Sequence, residues 1–191
     1  MLIADLETGE ILSESALAQF AGNNFIRSIV VNPTGDQAFA IITDVRDDNA
    51  NTATGVFLSL PAAEVLATVP FDIIIRSARY SPDGTQLAVY VEDQSKGYFT
   101  LLDAMTGETI RDLGSRTDGH SSFVLWNSFA FTPDGKRLVS GDVRGVILVW
   151  DVETGELIQR LAGHNKGRIS VVKVSPDGNT AISAGGGQLR F

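Results

Sequence analysis

The sequence predicts an all-β chain in which a unit of four antiparallel strands recurs about four times. Three observations predict it. A turn signature returns as Asn32-Pro33-Thr34-Gly35, Ser81-Pro82-Asp83-Gly84, Thr132-Pro133-Asp134-Gly135 and Ser175-Pro176-Asp177-Gly178, with prolines 49, 51 and 43 residues apart. A second turn falls later in each unit, as Asp103-Ala104-Met105-Thr106-Gly107 and Asp151-Val152-Glu153-Thr154-Gly155. Apolar, β-prone runs flank both turns, and no stretch of useful length carries a helical period. Two hairpins make four strands, and a repeat of roughly 40 to 50 residues is the size of a propeller blade. The fold class is therefore a β-propeller, with residues 1–191 as one domain.

Each element follows from this punctuation. Residues 2–5 and 11–17 read as a third and a fourth strand around Asp5-Leu6-Glu7-Thr8-Gly9. The first full unit, about 20–70, has strands at 25–31, 38–43, 55–60 and 65–69, with Ser59-Leu60-Pro61-Ala62-Ala63 as a degenerate second turn. The next unit, about 71–114, has strands at 73–80, 86–91, 97–103 and 109–113. The third, about 119–162, has them at 124–131, 137–141, 145–151 and 157–161. The last, about 163–191, has only 168–174, 180–184 and 188–191. In the Pro turns, Pro presets φ at the second position and Gly supplies a positive φ at the fourth.

Composition narrows the function. The net charge of −8 argues against nucleic acid as the main partner, because phosphate binding needs a concentrated basic surface. With no cysteine, disulfides, thiolate metal sites and thiol catalysis are excluded. The first residues lack a basic n-region and an apolar h-region, so no signal peptide is expected, and no apolar run approaches membrane-spanning length. The expected location is cytoplasmic, with no membrane partner.

The residues of the third and fourth units resemble WD repeats. Trp150-Asp151 ends a strand, Gly119-His120 and Gly163-His164 precede first strands, and Phe131 to Gly141 matches the middle of such a repeat. The first two units match mainly at the turns. The resemblance implies a structural set of His, Ser or Thr, Asp and Trp inside each blade. His120, Ser140 and Trp150 fill it in the third unit, with Asp151 beside the Trp. His164 and Ser183 fill part of it in the fourth. Arg144 and Gly185 stand where the family places its Asp, and Phe191 where it places the Trp, so neither set is complete. Asp142 is a substitute acid for the third unit. The resemblance also implies two ways to finish the ring. Either residues 11–17 add a strand to the last blade and close four blades, or the chain is part of a larger ring, including half of a ring built by two chains. An open ring leaves strand edges that promote self-association.

Most titratable groups have a structural explanation. Both histidines sit in Gly-His pairs, and no nucleophile and acid converge on them as a triad requires. Two histidines in separate repeats do not make a zinc site. Carboxylates lie mostly in turns, and the acidic, Asn-rich run 44–51 lacks EF-hand spacing. No metal, cofactor or catalytic residue is expected.

The best binding signal comes from aligning the first strands on their proline. Six residues before it lie Arg27, Arg76, Asn127 and Ser170; eight before it lies Arg168 in the last unit. In a propeller these positions surround the mouth of the central channel, and Arg27, Arg76, Asn127 and Arg168 form the expected binding set. Clustered Arg favours carboxylate or phosphate groups; the competing expectation is that each pairs with an acid on a neighbouring blade. The leading reading is a non-catalytic scaffold for protein–protein interaction, with the partner on the mouth face. The rival is a propeller that binds an acidic small molecule, or serves as an enzyme or sensor domain of a larger protein.

Overall fold

The computed structural model describes residues 2–4, 7–8, 10–14, 17, 20, 24–44, 52–93, 96–114, 124–162, 164 and 167–190. Among them every regular element of any length is a strand. β1 (Leu2–Ala4) and β2 (Ile11–Glu14) form a hairpin. β3 (Asn24–Val31), β4 (Gln37–Asp44), β5 (Ala53–Ser59) and β6 (Val65–Phe71) form the first four-stranded sheet. β7 (Ile74–Tyr80), β8 (Gln86–Asp93), β9 (Lys96–Asp103) and β10 (Thr109–Leu113) form the second. β11 (Val124–Phe131), β12 (Arg137–Asp142), β13 (Val146–Asp151) and β14 (Leu157–Ala162) form the third. β15 (Ile169–Val174), β16 (Ala181–Gly185) and β17 (Gln188–Arg190) form a three-stranded fourth. All pairings are antiparallel between sequence neighbours, as in propeller blades.

The sheets stack face to face, and the first strands contact one another in series: β3 with β7, β7 with β11, and β11 with β15. Second strands are therefore covered on both faces, which is why β4 and β8 read as continuous apolar runs rather than alternating ones. Three interfaces hold the stack. Phe39, Ile41 and Phe57 of the first sheet meet Ile75, Ala78 and Val89 of the second. Tyr90, Phe99 and Leu101 meet Phe129, Leu138 and Trp150 of the third. Val139, Ile147 and Val149 meet Ile169 and Val172 of the fourth. Phe99 and Phe129 lie 4.9 Å apart with tilted rings, a geometry that adds to simple area burial.

The turns form as their chemistry dictates. In Ser81-Pro82-Asp83-Gly84 the Gly84 N–H donates to the Ser81 carbonyl at 2.9 Å, with φ of +75° at Gly84. The Ser81 hydroxyl donates to Asp83 Oδ1 at 2.6 Å, and the same oxygen takes the Thr85 N–H at 3.0 Å. In the first unit the acid has moved to Asp36, which accepts from Asn32 Nδ2 at 2.7 Å and Thr34 Oγ1 at 2.6 Å. Gly155 at φ +80° and Ala63 at φ +61° occupy the same place in their second turns, so the degenerate copy keeps the backbone path without the glycine.

The amino-terminal segment forms the expected pair of strands. β2 ends at Glu14 and pairs with β1 in a sheet of its own. Leu17, at the end of the expected strand 11–17, is buried with Ala38, Ala40, Ile42, Val56 and Leu58 of the first sheet, which does not support the alternative in which 11–17 completes the last blade. An apolar side chain with a nearby uncovered apolar face is drawn to that face. The run 45–51 and the loop 115–123 lie outside the described residues.

Candidate functional site

The four-stranded topology separates two ends of the stack. Turns after first and third strands gather at one end; the starts of first strands and the turns after second strands gather at the other, called the mouth face after the position the sequence expects for them. A recurring irregularity shapes the mouth face. The β3–β4 ladder shifts between Ile26 and Ser28, the β7–β8 ladder between Ile75 and Ser77, and the β15–β16 ladder between Ile169 and Val171. The skipped residues are Arg27, Arg76 and Ser170, the positions aligned on proline in the sequence. β11 shifts too, between Val124 and Phe129, a span that contains Asn127. A bulge re-aims the extra side chain out of the ladder.

Arg76 and Arg27 come together there. Arg76 Nε donates to Glu92 Oε2 at 2.6 Å, with the two side chains 25% and 20% exposed. The acid is thus on β8 of the same sheet, not on a neighbouring blade. Arg27 is exposed, yet the burial it retains, and next the charge of Arg76, hold its guanidinium below its ordinary range; Glu92 acts in the opposite sense. Arg27 thus senses both members of the Arg76–Glu92 pair, and the three side chains form one charged cluster at this end. Arg168 is exposed just before β15, and the Ser170 hydroxyl donates to the Ala184 carbonyl at 3.2 Å. The Asn127 side chain lies outside the described set.

The structural set expected from the WD resemblance is partly assembled. Trp150 Nε1 donates to the buried Ser140 hydroxyl at 3.1 Å. His120 lies outside the described residues. Asp142 is fully buried, but its carboxylate serves its own turn: Oδ1 accepts the N–H groups of Arg144 and Val146, each at 2.8 Å, and Oδ2 accepts Arg144 Nε at 3.0 Å. In the last sheet His164 Nε2 lies 2.9 Å from Ser183 Oγ, while its buried Nδ1 has no partner among the described residues. A Cβ on Gly185 would stand 2.1 Å from the Arg168 carbonyl oxygen, so that position has no room for the missing acid. Asp151 lies at the opposite end, where its carboxylate accepts the Thr154 N–H at 2.8 Å.

Two residues escaped sequence reading. Glu92 is one, because an acid at a strand end carries no local signal of its partner. Arg79 is the other. It lies three residues before the proline, and its Nε donates to the Phe129 carbonyl at 3.0 Å, tying the second sheet to the third. Its guanidinium carbon sits 5.5 Å from the Phe129 ring centre. The far end of the stack carries two grooves of about 450 Å³ and 280 Å³, lined by turns of adjacent sheets. Among the described residues no group of His, Cys, Asp and Glu is arranged to hold a metal ion, and no helix is long and apolar enough to cross a membrane.

Known proteins share these features. The family described as "WD domain, G-beta repeat" matches residues 111–151 and 155–191. The first match opens in β10 and ends with Trp150-Asp151, so one sequence repeat contributes strands to two sheets and locks them together. The WD repeat-containing protein VIP3 of Arabidopsis thaliana is 30% identical over 167 residues, which is 83% of this chain and 45% of that protein. The antiviral protein SKI8 of Saccharomyces cerevisiae is 35% identical over 47% of this chain and 24% of its own length. The small ribosomal subunit protein RACK1y of Oryza sativa is 35% identical over 36% of this chain and 20% of its own. The chain thus spans less than half the length of these relatives.

Proposed function

Because the chain belongs to the WD-repeat family, we propose that it is a non-catalytic scaffold whose mouth face takes an acidic segment of a protein partner. One observation carries the reading: the same bulge in adjacent sheets re-aims Arg27 and Arg76 out of their ladders, so that two guanidiniums stand near each other on one face. A partner carboxylate would be recognised by such guanidiniums through paired N–H donors. The net charge of −8 argues against nucleic acid as the main partner. The name of the rice relative, a ribosomal subunit protein, describes a member of an assembly, which agrees with a binding role. We also propose the cytoplasm as its compartment.

Affinity capture from source cells tests this. Wild-type chain retains a defined protein, and Arg27→Glu with Arg76→Glu loses it while the protein stays folded. Equal capture by the charge-reversed chain contradicts the proposal. The same two guanidiniums favour a second reading, a small polycarboxylate ligand. Thermal shift against di- and tricarboxylates separates the two, and no stabilisation by any of them eliminates it.

A further inference from the structure

The two grooves at the Pro-turn end are built from equivalent positions and differ in chemistry. The larger, about 450 Å³, lies between the first and second sheets, and the smaller, about 280 Å³, between the second and third. Where the smaller has Lys136, the larger has Thr85; where the smaller has Glu153, the larger has Met105. Lys136 and Arg111 offset the acids of the smaller groove. The larger is lined by Asp36, Asp83 and Asp103 and by no lysine or arginine. Its apolar part is open to solvent, with Met105 84% and Leu66 52% exposed. Turn chemistry does not ask for a methionine there, because the same turn position holds Glu7 and Glu153 elsewhere in the chain.

The larger groove is also the better braced of the two. Gln37 Nε2 donates to the Ala104 carbonyl at 3.0 Å, and its Oε1 accepts the Tyr80 hydroxyl at 2.9 Å, which ties the two sheets together at the groove. In the smaller one Phe131 stands in the place of Tyr80, and the buried Gln86 Oε1 has no partner among the described residues. A site held in shape before binding loses less to ordering.

Its three carboxylates are only half used by their turns. In Asp36, Asp83 and Asp103 a single oxygen, Oδ1, accepts every turn bond, and Oδ2 accepts none among the described residues. Lys136 acts on Asp134 and Arg137 on Asp151, whereas among the described residues no cation acts on these three.

We propose that the larger groove docks an arginine-bearing, otherwise apolar segment of a protein partner. The methylene stem and the apolar neighbours of that arginine cover Met105 and Leu66, and its guanidinium meets the free aspartate oxygens at the rim. A thioether adapts to irregular apolar surfaces, and a long basic side chain buries its stem while its head stays with charge and water. Five N–H donors in a planar fork suit several carboxylate oxygens better than the compact head of a lysine does. This surface lies at the opposite end from Arg27 and Arg76 and takes the opposite charge, so the idea stands apart from the mouth-face reading.

The probe is a fluorescein-labelled hexapeptide of alternating leucine and arginine, followed by anisotropy at about 0.15 M salt. Saturable binding to the wild-type chain is expected. Thr85→Lys brings in the cation that the third sheet already carries at the equivalent place, so the turn tolerates it, and binding weakens by about tenfold or more. Gln159→Lys adds the same charge on the exposed strand β14 and leaves binding unchanged. Met105→Ser weakens binding about fivefold through lost apolar contact. The proposal is overturned if the peptide does not bind, if its citrulline counterpart binds equally, or if Thr85→Lys and Gln159→Lys behave alike. Spermidine binding as tightly as the peptide would assign the groove to a small cation and overturn it too.

Discussion

The Pro-turn end and the mouth end of this protein hold their charges by different means. At the Pro-turn end the turn aspartates are used by their own turns. Asp83, Asp134 and Asp177 accept a hydroxyl from two residues earlier and an N–H from two residues later, and Asp103 accepts the N–H groups of Met105 and Thr106. These bonds hold the carboxyls below the usual range, the side-chain hydroxyl leading for the first three and the Thr106 N–H for Asp103. At the mouth, Arg27 and Arg76 stand at bulges, outside the ladder, and hold no turn together. Charge that shapes the backbone is structural; charge lifted clear of the ladder is what the proposed function uses.

The strongest challenge to that contrast is Asp142, an acid at the mouth end that behaves like a turn acid. Asp142→Ala leaves the Arg144 and Val146 N–H groups unmet and is expected to cost about 3 kcal/mol in denaturant unfolding. A cost near zero would mean that burial does not mark structural charge here. Gly155→Ala comes next. The added Cβ would stand 2.8 Å from the Asp112 carbonyl oxygen at a φ of +80°, and the expected cost is about 2 kcal/mol.

The turn acids themselves give a pH signature. Their folded pKa values lie below the unfolded one, so their contribution is complete above about pH 4 and is lost as pH falls through the folded values. Melting temperature should drop on acidification below that point, and Asp83→Ala, costing about 1 kcal/mol at neutral pH, should make the drop shallower. The smallest effect belongs to the mouth. Arg27→Ala should change stability by less than about 0.5 kcal/mol, as expected of an exposed charge.

The legibility of the sequence follows the same division. Pro and Gly fix backbone dihedrals locally, so the strands could be placed from turns alone, and Trp150 and Ser140 could be paired from the WD pattern. Alignment on proline also found Arg27 and Arg76 at equivalent positions. What stayed hidden depends on contacts between distant residues: the bulges that turn those arginines outward, the choice of Glu92 as partner, the reach of Arg79 to Phe129, and the docking of Leu17 on the first sheet. The crowding of Gly185 by the Arg168 carbonyl was equally invisible, because only the path of β15 creates it.

The most direct measurement of the contrast between the two ends sets two double variants side by side, each scored for melting temperature and for retention of the captured partner. Arg27→Ala with Arg76→Ala should melt like wild type and lose the partner. Asp83→Ala with Asp134→Ala should melt lower and keep it. The opposite pairing of outcomes, or loss of the partner by both, would contradict the division of labour between turn and bulge.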